Sequence, residues 1–559
     1  MVIEFDETKQ NKRLNDLRKD EEEELVQLLS TKYGHGYINL SVYPVSTDAL
    51  KLIPEPKARE AKIAAYNLIG KRVDVAVLSP NNPLALEIIK NLDLSGYTTT
   101  LHMTSTASLE RAWSKYTEIS FAVQAKAGAL DISDDEVSVM VTKIHAIDDV
   151  EKLVREVMVE KKAYRTSRII EIIMAGAFAT KSSDVHLEPE EGNVRMRYRL
   201  DGVLHEILSF DHETYESVLS RIKLLSGMKL NIKEEAQDGR FSIKINEDHI
   251  EIRVSIIPGN NGESIVMRLL NPKSIQVSLE SMGIPKKLFT EIMRQIERPK
   301  GMILTTGPTG SGKTTALYAF LRKIHTPDIK IITIEDPVEY HLAGIVQTQT
   351  NDEKKYTFLE GLRAALRQDP DVIMIGEIRD TETARTAVTA ALTGHLVFST
   401  LHTNTAAGTF PRLIDLGVDP KAIISAMNIA MAQRLVRMLC GQCKKETAIE
   451  GEDKRIIDQI ITTLPPDEIP ANTTKMWIPV GCPTCNNTGF KGRIGVYEAI
   501  LNDEALEKAL LATPSEREIK KATQGQGILD MRQDGIVKVL TGLTTVEELK
   551  HIVDLEGNY

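Results

Sequence analysis

Residues Gly307–Thr315 read GPTGSGKTT, and the reading of this stretch decides the fold. An apolar run, Met302-Ile303-Leu304, precedes it, and Leu317, Phe320, Leu321 and Ile324 follow at helical spacing. Strand, glycine-rich loop, helix is the context that a G-x-x-x-x-G-K-[ST] motif requires. Gly307, Gly310 and Gly312 leave the backbone free to turn several N–H groups onto one phosphate. Pro308, Thr309, Ser311 and Thr315 complete the cradle, and the helix N-terminus adds its partial positive charge. Lys313 is expected to reach the β- and γ-phosphates, and the Thr314 hydroxyl to ligate Mg²⁺. The stretch predicts a site for ATP and its magnesium.

The residues downstream repeat one pattern. Lys330–Ile334, Val372–Ile375 and Leu396–Leu401 are strand-like and end in Glu335-Asp336-Pro337, Gly376-Glu377 and His402-Thr403-Asn404. Helical stretches, 357–367 and 381–393, separate them, with Thr381 as the expected N-cap and Gly394 at a C-terminus. Alternating strands and helices predict a mostly parallel sheet, whose ligands bind at the carboxyl ends of the strands. Gly307, Glu335, Glu377 and His402 are thereby expected on one edge.

Phosphoryl transfer to water asks for a positioned nucleophile and neutralised charge. Glu377 is the expected base for the attacking water, and Glu335 the expected holder of Mg²⁺ through water, with Asp336 behind it. Gly376 stands where this kind of strand usually ends in aspartate, which puts more weight on Thr314 and Glu335. His402 either contacts the γ-phosphate or merely caps its strand. Arg363, Arg367 and Arg379 are cationic stabilisers or plain ion-pair partners.

The 559 residues suit about three to five domains. The 42% hydrophobic content supports real cores, while a formal net charge of −10 argues against direct nucleic-acid binding. No apolar run approaches a membrane span, and the polar start is unlike a signal peptide, so a cytoplasmic location is expected.

The first 125 residues read as a small α/β docking domain behind a charged lead, and 126–162 as an acidic linker containing Asp131–Asp135. Residues 163–280 read as an α+β domain. Val194–Leu200 alternates strictly, placing Arg195, Arg197 and Arg199 on one face. Asp201-Gly202 is a type I′ hairpin signal. Two further strand-like runs carry Arg253 and Arg268. Such an arginine row is either solubilising surface or a face for phosphates or a neighbouring subunit.

Cys440-x-x-Cys443 and Cys482-x-x-Cys485 use all four cysteines. Paired C-x-x-C knuckles match tetrahedral Zn²⁺, and four thiolates leave no position for water, so the metal is expected to be structural. Residues 440–493 form this module. The remainder, 494–559, reads as helices packed on the 281–439 nucleotide domain, with breaks at Asp534-Gly535 and Gly542.

Together these residues resemble the secretion and pilus-assembly ATPases, the PilB/GspE family. The likeness runs from about Ser183 onward. It covers GPTGSGKTT, Thr333-Ile334-Glu335-Asp336-Pro337-Val338-Glu339, Ile375-Gly376-Glu377-Ile378-Arg379-Asp380 and Leu401-His402-Thr403-Asn404. It extends to GCPTCNNTGFKGRIGVYE (481–498), SDVHLEP (183–189), RYRLDGVL (197–204) and QDGRFSI (237–243). Leu52-Ile53-Pro54-Glu55 and Ala58-Arg59 are similar to the amino-terminal domain of assembly ATPases. The resemblance implies a RecA-like ATPase domain and a homo-hexameric ring. In that ring Arg253 and Arg268 complete the site, and hydrolysis acts on a platform protein of the inner membrane. Retraction motors, DNA-uptake or conjugation ATPases and a nucleotide-gated scaffold are the competing readings.

Overall fold

The computed structural model describes residues 22–43, 45–50, 52–94, 96–116, 129–130, 140–159, 165–245, 248–271, 277–351 and 353–556. The charged lead before residue 22 and the acidic Asp131–Asp135 lie outside them. The chain divides into a smaller unit, drawn chiefly from residues up to Asp131, and a larger one.

The smaller unit is α/β. Its sheet runs Gly36–Tyr37, Thr98–Met103, Arg72–Val77, Ile63–Ile69 in spatial order. Alternation in Arg72–Val77 buries Val73, Val75 and Val77. Trp113, on the helix Thr106–Ser114, donates its indole N–H to Ile63 O at 3.0 Å.

In the larger unit, the stretch read as linker contains a helix, Ile147–Val159. Val150 and Val154, one helical turn apart, are fully buried. Gly176 on the next helix, Arg165–Ala179, makes room for Val150, since a Cβ there would stand 2.6 Å from Val150 Cγ2. Acidic flanks concealed that apolar pair.

Five strands of the α+β region are β1 (Asp184–Pro189), β2 (Val194–Leu200), β3 (Val203–Phe210), β4 (Asp248–Gly259) and β5 (Gly262–Leu270). They pair in the order β4-β5-β1-β2-β3. Asp201 (φ 49°) and Gly202 (φ 92°) form the β2–β3 turn, both in the positive-φ region that a type I′ turn needs. The arginine row is answered by an acidic row on and just past β1. Arg197 bonds Glu188 at 2.6 Å, Arg195 lies 3.0 Å from Glu190, and Arg199 lies 3.5 Å from Asp184.

The nucleotide domain is built on β6 (Gly301–Thr306), β7 (Ile331–Glu335), β8 (Val346–Gln349), β9 (Val372–Ile375), β10 (Leu396–Leu401) and β11 (Met427–Leu439). The small strands β12 (Lys445–Ala448) and β13 (Lys475–Ile478) follow, and β14 (Phe490–Leu501) returns to the main sheet. The order is β8-β7-β9-β10-β6-β11-β14, all parallel except the antiparallel pair β11/β14. Both faces are covered. Met302 and Leu304 join a core with Leu362, Ala387 and Val397, while Ile303 joins Leu317, Phe320 and Phe398 on the other side. Near-continuous apolar strands are what such burial demands.

Three expectations are corrected here. Asp380, not Thr381, caps the helix Thr381–Leu392, accepting from Thr383 N at 2.8 Å. Residues 494–501 are strand, because Ile494, Val496 and Ile500 alternate into the core. Asp534-Gly535 does not break its helix, Met531–Leu540. Gly535 makes room there for Leu549, whose Cδ1 would lie 2.8 Å from a Cβ, and Asp534 is paired with Lys538.

Candidate active site

Parallel pairing of β6 with β10 (Thr306↔Leu401), β9 with β10 (Ile375↔Ser399) and β7 with β9 (Ile334↔Ile375) aligns the carboxyl ends of four strands. Gly307, Glu335, Glu377 and His402 lie at or just past those ends. The loop after β6 turns sharply at Gly307 (φ 146°), where a Cβ would stand 2.5 Å from Gln433 O. Gly312 (φ 87°) caps the helix Lys313–Ile324. Pro308, Thr309 and Gly310 are exposed, Ser311 is buried, and Thr314 and Thr315 are half-buried in the first turn. Lys313 Nζ donates to Gly307 O at 2.8 Å and Pro308 O at 3.2 Å, curling over the loop it belongs to. Burial pushes the Lys313 pKa down, against the pull of Glu377.

Glu377 is the focus of the edge. His402 Nε2 lies 2.7 Å from Glu377 Oε2, and Arg379 ion-pairs with the other carboxylate oxygen. Partial burial raises the Glu377 pKa, but the hydrogen bonds and charges of Arg379 and His402 outweigh it and hold the carboxyl below its usual range. Arg379 also lies 3.8 Å from Asp336. The result is an ionised carboxylate at the strand edge that bears the glycine-rich loop, placed to accept a hydrogen bond from water.

Glu335 sits differently. It is 2% exposed, and its oxygens accept from Tyr318, Thr333 and Gln347, the last at 3.1 Å. Burial raises its pKa despite those three donors. Both carboxylate oxygens are thus taken up by protein donors, one by Tyr318 and the other by Thr333 and Gln347. Tyr318 escaped sequence reading because it occupies an apolar position of the helix, and only the fold aims its hydroxyl at β7.

Of the two arginines from the α+β sheet, Arg253 reaches the nucleotide domain, donating to Val338 O at 3.0 Å and to Glu339 at 3.4 Å. Its cross-strand partner Arg268 is bonded instead to Asp184 at 2.9 Å. Arg363 pairs with Glu360 at 3.1 Å and Glu382 at 3.5 Å, and Arg367 ends the helix Phe358–Leu366 at its C-cap.

The four cysteines converge at the open end of the β11/β14 pair. Their sulfurs all lie within 4.8 Å of one another, with 3.9 Å for Cys440–Cys482, 3.8 Å for Cys443–Cys485 and 3.7 Å for Cys482–Cys485. Disulfides are excluded by these separations. Zn–S bonds of about 2.3 Å in a tetrahedron place sulfurs about 3.8 Å apart, so the set fits zinc. Cys482 N and Gly489 N donate to Cys485 Sγ at 3.2 and 3.3 Å, the kind of outer support that steadies a thiolate ligand.

Residues 160–551 match the family described as Type II/IV secretion system protein. The type IV pilus assembly ATPase PilB of Myxococcus xanthus is 37% identical over 95% of this chain and 91% of its own length. The type II secretion system protein E of Aeromonas hydrophila is 43% identical over 69% of this chain and 75% of its own. The ATPase DotB of Legionella pneumophila aligns with 71% of this chain and 98% of its own at a TM-score of 0.50 and 23% identity, a likeness of fold.

Proposed function

Because the chain belongs to the type II/IV secretion system protein family, we propose that it is an ATP hydrolase that drives type IV pilus assembly or type II secretion. The observation that carries this reading is Glu377, ionised and held between Arg379 and His402 at the strand edge that bears the nucleotide loop. Glu377 accepts the proton of the attacking water, and His402 orients the carboxylate and senses the γ-phosphate. Gly307–Thr315 wraps the phosphates, with Lys313 leaving its carbonyl partners to meet them. Thr314 and, through water, Glu335 would hold Mg²⁺, with Tyr318 and Gln347 fixing the Glu335 carboxylate from behind. Arg253 brings the α+β region, 163–280, to the nucleotide; Arg268 follows if its bond to Asp184 opens. Zn²⁺ on the four cysteines stiffens the 440–493 module.

In this reading the chain works in the cytoplasm as a homo-hexamer, at the inner face of the membrane, on a platform protein. No described helix is long and apolar enough to cross a membrane. ATP and ADP must favour different domain geometries for hydrolysis to do work, since equal binding shifts nothing. Turnover by Glu377→Gln tests the proposal. ATP binding is expected to persist while phosphate release is abolished, and unchanged release removes Glu377 from the mechanism.

A further inference from the structure

The loop after β10 is held from elements other than the strand that carries His402. Arg434, in β11, is 9% exposed, and its guanidinium donates to Asn404 O at 2.9 Å, Asn404 Oδ1 at 3.3 Å and Gln433 O at 3.2 Å. It also borders the nucleotide loop, for a Cβ at Gly307 would stand 3.0 Å from Arg434 Nη1. On the neighbouring strand β14, Glu498 accepts the Ala406 N–H at 2.8 Å. Glu516 accepts the Thr405 hydroxyl at 2.5 Å. Three successive residues, Asn404, Thr405 and Ala406, are thus each gripped by a different side chain.

Burying a guanidinium costs free energy that bonds to carbonyls only partly return, and burial weakens Arg434's hold on its own proton. A guanidinium kept buried in β11 at that cost has a positional task. We propose that Arg434 and Glu498 are positioning residues for hydrolysis: they hold the 404–406 turn so that His402 stays seated on Glu377. The proposal rests on the roles given above to His402 and Glu377. Its geometry places the Arg434 guanidinium next to the first glycine of the nucleotide loop while it bonds the loop of His402. A phosphate-driven shift of Gly307 would be felt at Asn404.

Lysine at 434 keeps the charge but not the fork that spans Gln433 O and Asn404. In full-length Arg434→Lys, amide hydrogen exchange over residues 403–408 is expected to quicken about tenfold, with β6 unchanged. Unchanged exchange overturns the clamp whatever His402 does in catalysis. Faster exchange spread over the whole sheet marks a merely structural arginine and overturns it too. In kinetics, kcat should fall roughly tenfold with KM for ATP nearly constant. The acid limb of the kcat profile should move up to that of His402→Ala. Arg434→Lys combined with His402→Ala should be no slower than His402→Ala alone, whereas multiplying losses place Arg434 outside the His402 pathway and refute the proposal. A wild-type rate in His402→Ala instead defeats the role of His402, and exchange still decides the clamp. Asn404→Ala, at an exposed position, is the milder variant and should show the same local loosening to about threefold.

Discussion

His402 Nε2 lies 2.7 Å from Glu377 Oε2 although 25 residues separate them in sequence. The bond exists because β9 and β10 are parallel neighbours in register, so the residues just beyond each strand meet. It lowers the Glu377 pKa together with Arg379, in opposition to burial.

A carboxylate held below its usual pKa remains ionised until the pH falls through that lowered value. Turnover should therefore stay flat through neutral pH and decline only below the ordinary glutamate range. His402→Ala removes one of the two partners, so its acid limb should lie at higher pH than that of the wild type. A limb that does not move means the contact has no part in setting the base.

Tyr318 donates to the buried Glu335, whose other oxygen accepts from Thr333 and Gln347. Tyr318→Phe leaves the oxygen it served unsatisfied and should destabilise the chain by about 1–3 kcal/mol in denaturant unfolding. No loss beyond a few tenths would show that another donor takes its place.

Asp534 and Lys538 form an ion pair with side-chain exposures of 2% and 5%, and Asp534 also accepts Tyr497 N–H at 2.8 Å. Burial raises the Asp534 pKa and lowers that of Lys538, each opposed by its partner. Lys538→Met strands the acid and should cost about 3–5 kcal/mol, whereas replacing both with apolar residues should cost far less. Equal costs for the single and double variants would contradict this account.

The sulfur cluster should hold about one Zn²⁺ per chain, following from one four-thiolate set. Metal analysis of Cys482→Ser should show that zinc lost, and chelation should expose the 440–493 module to protease before the nucleotide domain. Metal-free protein of undiminished protease resistance would argue that the thiols are not a metal site.

Much of the larger unit was legible in the chain. The strands Val372–Ile375 and Leu396–Leu401 stand where their apolar runs end, and Asp201-Gly202 makes its turn, because those signals are local. The arginine row was legible as a face but not as a set of ion pairs, since its acids lie across the ladder on and just past β1. The helix Ile147–Val159 was hidden by acidic flanks, and β14 by its distance from its partner β11.

Local chemistry along the chain determined the phosphate loop, the strand ends that carry Glu335, Glu377 and His402, and the paired cysteine knuckles. Periodicity and turn residues act over a few positions, so one dimension suffices to read them. Tertiary structure alone decided that Glu335 is sealed under Tyr318, that Arg253 and not Arg268 reaches the nucleotide domain, and that Arg434 grips Asn404. Those outcomes depend on burial and on contacts between distant segments, whose free energy exists only once the sheet has closed.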